Sequence, residues 1–293
     1  MLKTIDGGGM IKIAIPNKGR MYEPTKEMLA QAGIRFSGGE RKLVCRTTSK
    51  NVEIMLVRTE DIPKYVEIGA ADAGFTGSDL VVESKANVSI VTMLNYGACR
   101  VVLAVPEGSK IKSVKDLQNK RVATKLVNIA GEFFKNNRIN AKMFEVSGAV
   151  EITPLLGVAD AIIDHVDTGA TLSANRLVEI VTLLDSKACL IANKNSLVEK
   201  KKEIEEVKLS LQGIIGAENM KYLMVNAPSD EILKEVVRIL PALESPTVLK
   251  LAKQGKYAVH AVVSEQALAG VVRRLKEAGG KDILVLNLEK VIP

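Results

Sequence analysis

The segment Asp164-His165-Val166-Asp167-Thr168-Gly169-Ala170-Thr171 gathers the residue types that receive an oxyanion. An apolar run, Ala161 to Ile163, leads into it and ends on an acid; small and hydroxyl residues follow. Gly169 and Ala170 let the backbone approach a phosphate closely. Successive N–H groups and the hydroxyls of Thr168 and Thr171 donate to its oxygens, and a helix starting near Leu172 adds its positive end. Asp164, at the strand terminus, is placed to accept from sugar hydroxyls or to hold Mg²⁺. An ordinary capped strand-to-helix turn has the same composition, so the loop alone leaves both readings open.

Two further groups carry charge at useful places. Lys18, Gly19 and Arg20 follow the first apolar strand and suit a polyphosphate or, equally, an exposed loop. Thr76-Gly77-Ser78-Asp79 reads as a helix N-terminus in which Asp79 is a ligand contact or a simple cap. Glu151 and Asp160 flank the main loop. Cys45, Cys99 and Cys189 never stand in CxxC spacing, so each is expected to be a small buried apolar residue. With two histidines, His165 and His260, a histidine-based metal site is not expected, and any metal would be a hard ion on oxygen ligands.

A formal charge of +7 suits an acidic partner. Single-stranded nucleic acid is disfavoured, because the chain has no Trp and its few aromatics do not cluster among basic residues. No apolar run approaches the roughly 18 residues of a membrane span, and the N-terminus lacks a signal-peptide core. A cytoplasmic protein acting on phosphorylated small molecules, with no nucleic acid and no membrane, is expected.

Short apolar strands alternate with short helices through the first half, which predicts α/β lobes with parallel sheets. Expected strands run over 10–15, 52–57, 71–75, 88–94 and 100–105, then 122–124, 143–146 and 161–163. Helices are expected over 24–32, from a cap at Asp61 to 68, over 129–136 and over 150–156. Pro106-Glu107-Gly108 reads as the crossing to a second lobe, and strands 180–184 and 188–192 as the return. Ser196 to Glu199 has the form of a capping box before a charged connecting helix. Residues 220–293 then read βαββαβ, a ferredoxin-like module. The expected organisation is a flexible extension (1–9), lobe I with the connecting helix (10–104 and 185–212), lobe II (105–184) and the terminal module (213–293).

An apolar strand, an acid and then Thr168-Gly169-Ala170-Thr171 is similar to the 5-phosphoribosyl-1-diphosphate (PRPP) loop of phosphoribosyltransferases. Ser147-Gly-Ala-Val-Glu151-Ile-Thr-Pro through Asp164, with Thr168 to Asn175, resembles the ATP phosphoribosyltransferase family of histidine biosynthesis. Ala14-Ile-Pro-Asn17-Lys18-Gly19-Arg20, Arg58-Thr-Glu-Asp61, Thr76-Gly77-Ser78-Asp79-Leu80 and Cys99-Arg100 match as well, from about Ile11 to Pro293.

The resemblance implies a two-lobed core like that of periplasmic binding proteins and a C-terminal ACT-like domain inhibited by histidine. It further implies assembly as dimers or hexamers and an Mg²⁺-dependent reaction of ATP with PRPP. By the same resemblance Glu151, Asp164, Asp167 and Thr168 to Thr171 meet PRPP. Lys18, Gly19, Arg20 and Thr76 to Asp79 meet ATP or polyphosphate, Glu151 and Asp164 are candidates for Mg²⁺, and Asn226, Leu243 and Thr247 line a histidine site. Two positions depart from the family pattern. His165 stands where the family usually has an apolar residue and Asp167 where it usually has Ser, and Thr124-Lys125-Leu126-Val127-Asn128 lacks the family's Tyr-Pro pair. Rivals to an enzyme are a solute-binding or amino-acid-sensing protein of the same bilobal fold and a catalytically impaired paralogue.

Overall fold

A computed structural model describes residues 9–37, 43–241 and 245–292. The expected extension, apart from Gly9, and the expected contact Leu243 lie outside the described residues. The chain divides into two compact units, Met1–Lys208 and Leu209–Pro293.

In the first unit, β1 (Ile11–Pro16) buries Ile11, Ile13 and Ile15 on one face and Ala14 and Pro16 on the other, with Lys12 at its start part-exposed. Pro24 sits in the first turn of α1 (Tyr22–Gln31), which buries Thr25, Met28 and Leu29 at helical spacing and stops before Gly33 at φ +88°. Strands β2 (Val44–Arg46) and β3 (Val52–Val57), helix α2 (Ile62–Glu67), strand β4 (Ala73–Gly77), helix α3 (Ser78–Ser84) and strand β5 (Ser89–Met93) complete most of lobe I. Gly74 is where α2 lies against the sheet: a Cβ there would stand 2.5 Å from Ile62 Cγ2.

Lobe II follows as β6 (Cys99–Pro106), β7 (Arg121–Thr124), α4 (Val127–Asn137), β8 (Lys142–Glu145), β9 (Ala161–Val166), the short α5 (Ala170–Ala174) and β10 (Leu177–Ser186). Its strand order is β10-β6-β9-β7-β8, with one core holding Val101, Leu103, Val122, Phe134 and Ile163 and another holding Val102, Ala123, Ile162 and Leu172. The chain then returns as β11 (Ala188–Ala192), which closes the lobe I sheet β2-β3-β1-β4-β11-β5. Helices α6 (Ser196–Glu199) and α7 (Lys201–Ala217) follow.

Several expectations are corrected. Both sheets are mixed, not parallel: β1 runs parallel to β3 and β4 and β7 parallel to β8 and β9, whereas β11 and β6 run antiparallel to their neighbours. A strand that arrives from the other lobe has no crossover helix to reverse it, so it enters in the opposite sense. The outward crossing lies between β5 and β6, not at Pro106, because all of β6 pairs within lobe II. The expected helix 150–156 is only a 3₁₀ turn, Val150–Ile152; Pro154 lacks the N–H to continue it. Asp61 makes no side-chain cap, since a 3₁₀ turn precedes α2. Ser196 forms no capping box, because its Oγ donates to Asp72 Oδ1 at 2.7 Å.

The second unit reads β12 (Met220–Ala227), α8 (Asp230–Ile239), β13 (Thr247–Lys250), β14 (Tyr257–Ser264), α9 (Glu265–Glu277) and β15 (Lys281–Asn287). The sheet order β13-β14-β12-β15 is antiparallel throughout and completes the expected ferredoxin-like βαββαβ pattern. Ser229 and Ser264 cap the two helices, each hydroxyl accepting from the amide three residues on. Leu223, Val225, Val236, Val259, Val263, Val271 and Leu275 form its core.

Candidate active site between the lobes

Ligands of open α/β sheets sit beyond the carboxyl ends of the strands, and in this unit those ends converge. Asn17 to Met21 follow β1, Arg58 to Asp61 follow β3, Gly77 closes β4 and Asp79 opens the helix α3 after it, Lys125 follows β7, Ser147 follows β8 and His165 lies near the end of β9. Together with Lys64, Leu80, Glu83, Ser84, Gly97 and Leu126 they line a cleft of about 860 Å³. Lys18, Arg20, Arg58, Lys64 and Lys125 bring positive charge to its wall, against the carboxylates of Glu60, Asp61, Asp79 and Glu83 in the same lining.

The walls are tied across the cleft. Arg20 of lobe I pairs with Asp167 of the lobe II loop. Glu83 of α3 accepts from the amides of Asn128 and Ile129 at 3.0 and 2.9 Å, capping α4 from the opposite lobe. Asp79 is 3% exposed, so its charge needs partners. Ser186 Oγ donates to Asp79 Oδ1, and Oδ2 meets His165 Nε2 at 2.5 Å. The ring's other nitrogen lies 3.7 Å from Asp164 Oδ1, and Lys125 Nζ lies 3.5 Å from the same oxygen.

These contacts set the protonation states. Burial works against charge on Asp79, but the bonds from His165 and Ser186 outweigh it and hold the carboxyl below its usual range. Asp164 is likewise lowered, burial being overcome by His165 and Lys125. For His165 burial opposes protonation, yet Asp164 and Asp79 raise its pKa above the ordinary histidine value. Cys99 is pushed up by burial, against the pull of Arg20.

Of the residues read from the sequence, Lys18, Gly19, Arg20, Gly77 and Asp79 line the cleft. Gly77 has no room for a side chain, since a Cβ there would stand 2.3 Å from Asp79 Oδ1. Thr76 and Ser78 hold the framework instead. Thr76 is fully buried and its hydroxyl lies 3.2 Å from the Thr59 carbonyl it donates to, while Ser78 Oγ pairs with Ser186 Oγ at 3.1 Å. Thr168, Ala170 and Thr171 are exposed, and Gly169 at φ +81° starts α5. Asp167 links this loop to the cleft through Arg20. Glu151 stands on the 3₁₀ turn, outside the cleft lining, and Asp160 is engaged by Arg121 at 2.8 Å. In the second unit Asn226 donates to Asp282 at 3.0 Å, and Thr247 is exposed at the start of β13. His260 is bonded to Tyr222 at 2.7 Å.

Arg58, Lys64, Glu83 and Lys125 line the cleft as well, beyond the contacts expected from the sequence. Arg58 and Lys125 each follow directly on a strand, a positional signal that was legible; Lys64 and Glu83 lie within helices and gave none.

The fold and the site together define a bilobal α/β protein whose strand ends meet at an interlobe cleft carrying five lysine and arginine and four carboxylate side chains. The family model for HisG, ATP phosphoribosyltransferase, matches residues 58–213, and that for the HisG C-terminal domain matches residues 217–290. ATP phosphoribosyltransferase of Methanosarcina barkeri is 42% identical over 97% of this chain and 100% of its own, and that of Methanopyrus kandleri 43% identical over 97% and 100%. A chain of the "ATP phosphoribosyl transferase (HisG:HisZ) complex" of Thermotoga maritima superposes with a TM-score of 0.62 at 29% identity, covering 69% of this chain and 96% of that one. The chain belongs to the ATP phosphoribosyltransferase family and is an enzyme of that glycosyltransferase type. Among the described residues no helix is long and apolar enough to cross a membrane.

Proposed function

We propose that the chain joins N1 of the ATP adenine to C1 of PRPP with inversion, releasing diphosphate, as the entry to histidine biosynthesis in the cytoplasm. The supporting observation is the cleft itself, where Lys18, Arg20, Arg58, Lys64 and Lys125 face one space at the strand ends of both lobes. In the reaction the C1–N1 bond forms as the C1–O bond to diphosphate breaks, and the electron pair leaves with the diphosphate. The protein's part is to hold nucleophile and ribosyl centre in line and to stabilise charge growing on the leaving group. The loop from Asp164 to Thr171 takes the ribose and 5-phosphate: Thr168, Thr171 and the amides of Gly169 and Ala170 donate to the phosphate oxygens.

Mg²⁺ typically keeps several waters and binds one or two carboxylates plus substrate phosphates. Among the described residues no set of carboxylates converges into a cage, and the only gathered trio includes a thiol. Neither Asp164 nor Glu151 is in the cleft lining; Asp164, part-buried near the end of β9 and next to the lining residue His165, fits the role of a single ligand to an ion carried by the diphosphate better than Glu151 on its 3₁₀ turn. The ion supplies neutralisation of the leaving group. The terminal βαββαβ module is the proposed seat of histidine inhibition, through Asn226 and Thr247, and the chain is proposed to act as a homo-oligomer, dimer or hexamer.

Formation of phosphoribosyl-ATP from ATP, PRPP and Mg²⁺ tests the activity, and no turnover at saturating substrates would sink it. Histidine added to the same assay should inhibit, and less so in Thr247→Val.

A further inference from the structure

The ligand-type atoms of Asp79, Cys99 and His165 all lie within 4.8 Å of one another. No other trio of this kind occurs among the described residues. Cys99 is the first residue of β6, and His165 sits on the neighbouring strand β9, where Val101 is its register partner. Asp79 reaches them from the first turn of α3, in the other lobe. Asp79 and Cys99 are buried and the His165 side chain is 18% exposed, so the cluster is a built site, not a surface coincidence.

We infer that Asp79, Cys99 and His165 form a binding site for a Zn²⁺-class transition-metal ion that ties lobe I to lobe II. One carboxylate oxygen, one thiolate and one imidazole are the donors such an ion selects, while Mg²⁺ and Ca²⁺ avoid the sulfur. Three protein ligands leave a fourth position. Asp79 and His165 face the cleft, so that position opens to water or to an oxyanion bound there.

The outer partners are those a metal site uses. Asp79 Oδ1 and the Asp79 amide are both engaged by Ser186 Oγ, which leaves Oδ2, the oxygen that meets His165 Nε2, on the cluster side. His165 turns Nε2 to the cluster, and its Nδ1 lies 3.7 Å from Asp164 Oδ1, the carboxylate–histidine arrangement that fixes tautomer and ring orientation. Charge also balances. The ion replaces the proton between Asp79 and His165 and the thiol proton of Cys99; two protons leave as one divalent ion enters, so the trio keeps its net charge, and Arg20 stays hydrogen-bonded beside the Cys99 sulfur. The site requires no phosphoribosyl transfer and stands or falls apart from that reading.

Titration of the chelator-treated full chain with Co²⁺ tests it, since a thiolate ligand gives a near-ultraviolet charge-transfer band and four-coordination gives intense visible bands. One equivalent should saturate both, and Zn²⁺ should displace them. Cys99→Ser should remove the charge-transfer band. His165→Leu should cut Zn²⁺ affinity by more than the about 10- to 100-fold expected of the outer-partner change Asp164→Asn. Cys45→Ser should leave the spectrum unchanged. Circular dichroism establishes that each variant is folded, and His165→Leu carries the test if Cys99→Ser does not fold. No charge-transfer band in the wild-type chain, a band that survives Cys99→Ser, or unchanged Zn²⁺ affinity in His165→Leu would overturn the site.

Discussion

Asp167→Ser should tighten PRPP binding roughly tenfold. The Asp167 carboxylate sits in the loop proposed to receive the 5-phosphate, and it holds Arg20 with both side chains almost half exposed. Two costs disappear when it is removed. An exposed ion pair is worth about 0–1 kcal/mol, which the incoming phosphate would otherwise have to displace to engage Arg20. A phosphate of about two negative charges, held ~7 Å from the carboxylate in water-like surroundings, is repelled by about 1 kcal/mol. Together these correspond to roughly 1.5 kcal/mol, or about one decade in affinity. Calorimetric titration of PRPP into both proteins at low salt measures it directly, and the gap should narrow as ionic strength rises through about 0.15 M. Equal or weaker PRPP binding by Asp167→Ser at low salt would refute the placement of the phosphate in this loop.

Gly77→Ala should cost about 1–3 kcal/mol of stability, because the new Cβ must expel the Asp79 carboxylate from Ser186 and His165; a melting temperature equal to wild type would contradict that packing. Asp72 accepts from the Lys12 amide at 2.8 Å, from Lys200 at 2.7 Å and from Ser196 at 2.7 Å, so Asp72→Ala should lose about 2–3 kcal/mol in urea unfolding, and a loss well under 1 would show the network is idle. Burial alone would raise the Asp72 pKa, but these partners lower it in the folded state. Its contribution is therefore complete above the unfolded carboxylate value of about 4 and is lost as pH falls through the lower folded value. Urea midpoints measured from pH 7 to pH 3 should fall less steeply for Asp72→Asn than for wild type, and parallel curves would contradict the assignment.

The two mixed sheets show where reading by pattern stops. Apolar runs bounded by Gly, Pro and Asp located β1, β3, β6 and the strands of the terminal module to within a few residues, since that signal is local. Strand direction is not local. β6 and β11 look like any buried strand, and only their arrival from the opposite lobe makes them antiparallel. Ser196 likewise carried a sound capping pattern until Asp72, brought close by the fold, took its hydroxyl.

By itself the sequence determined the α/β class, the βαββαβ ending and the family resemblance, because periodicity, turn residues and contiguous motifs are written along the chain. Tertiary structure alone decided which charges meet. Arg20 finds Asp167, Asp79 finds His165 and Cys99, and Glu83 caps a helix of the other lobe. Each of these joins residues far apart in the chain, and no spacing rule connects them. Burial then does what composition cannot: it makes Asp79 depend on its partners and sets Cys99, expected to be only a small buried apolar residue, beside an acid and a histidine.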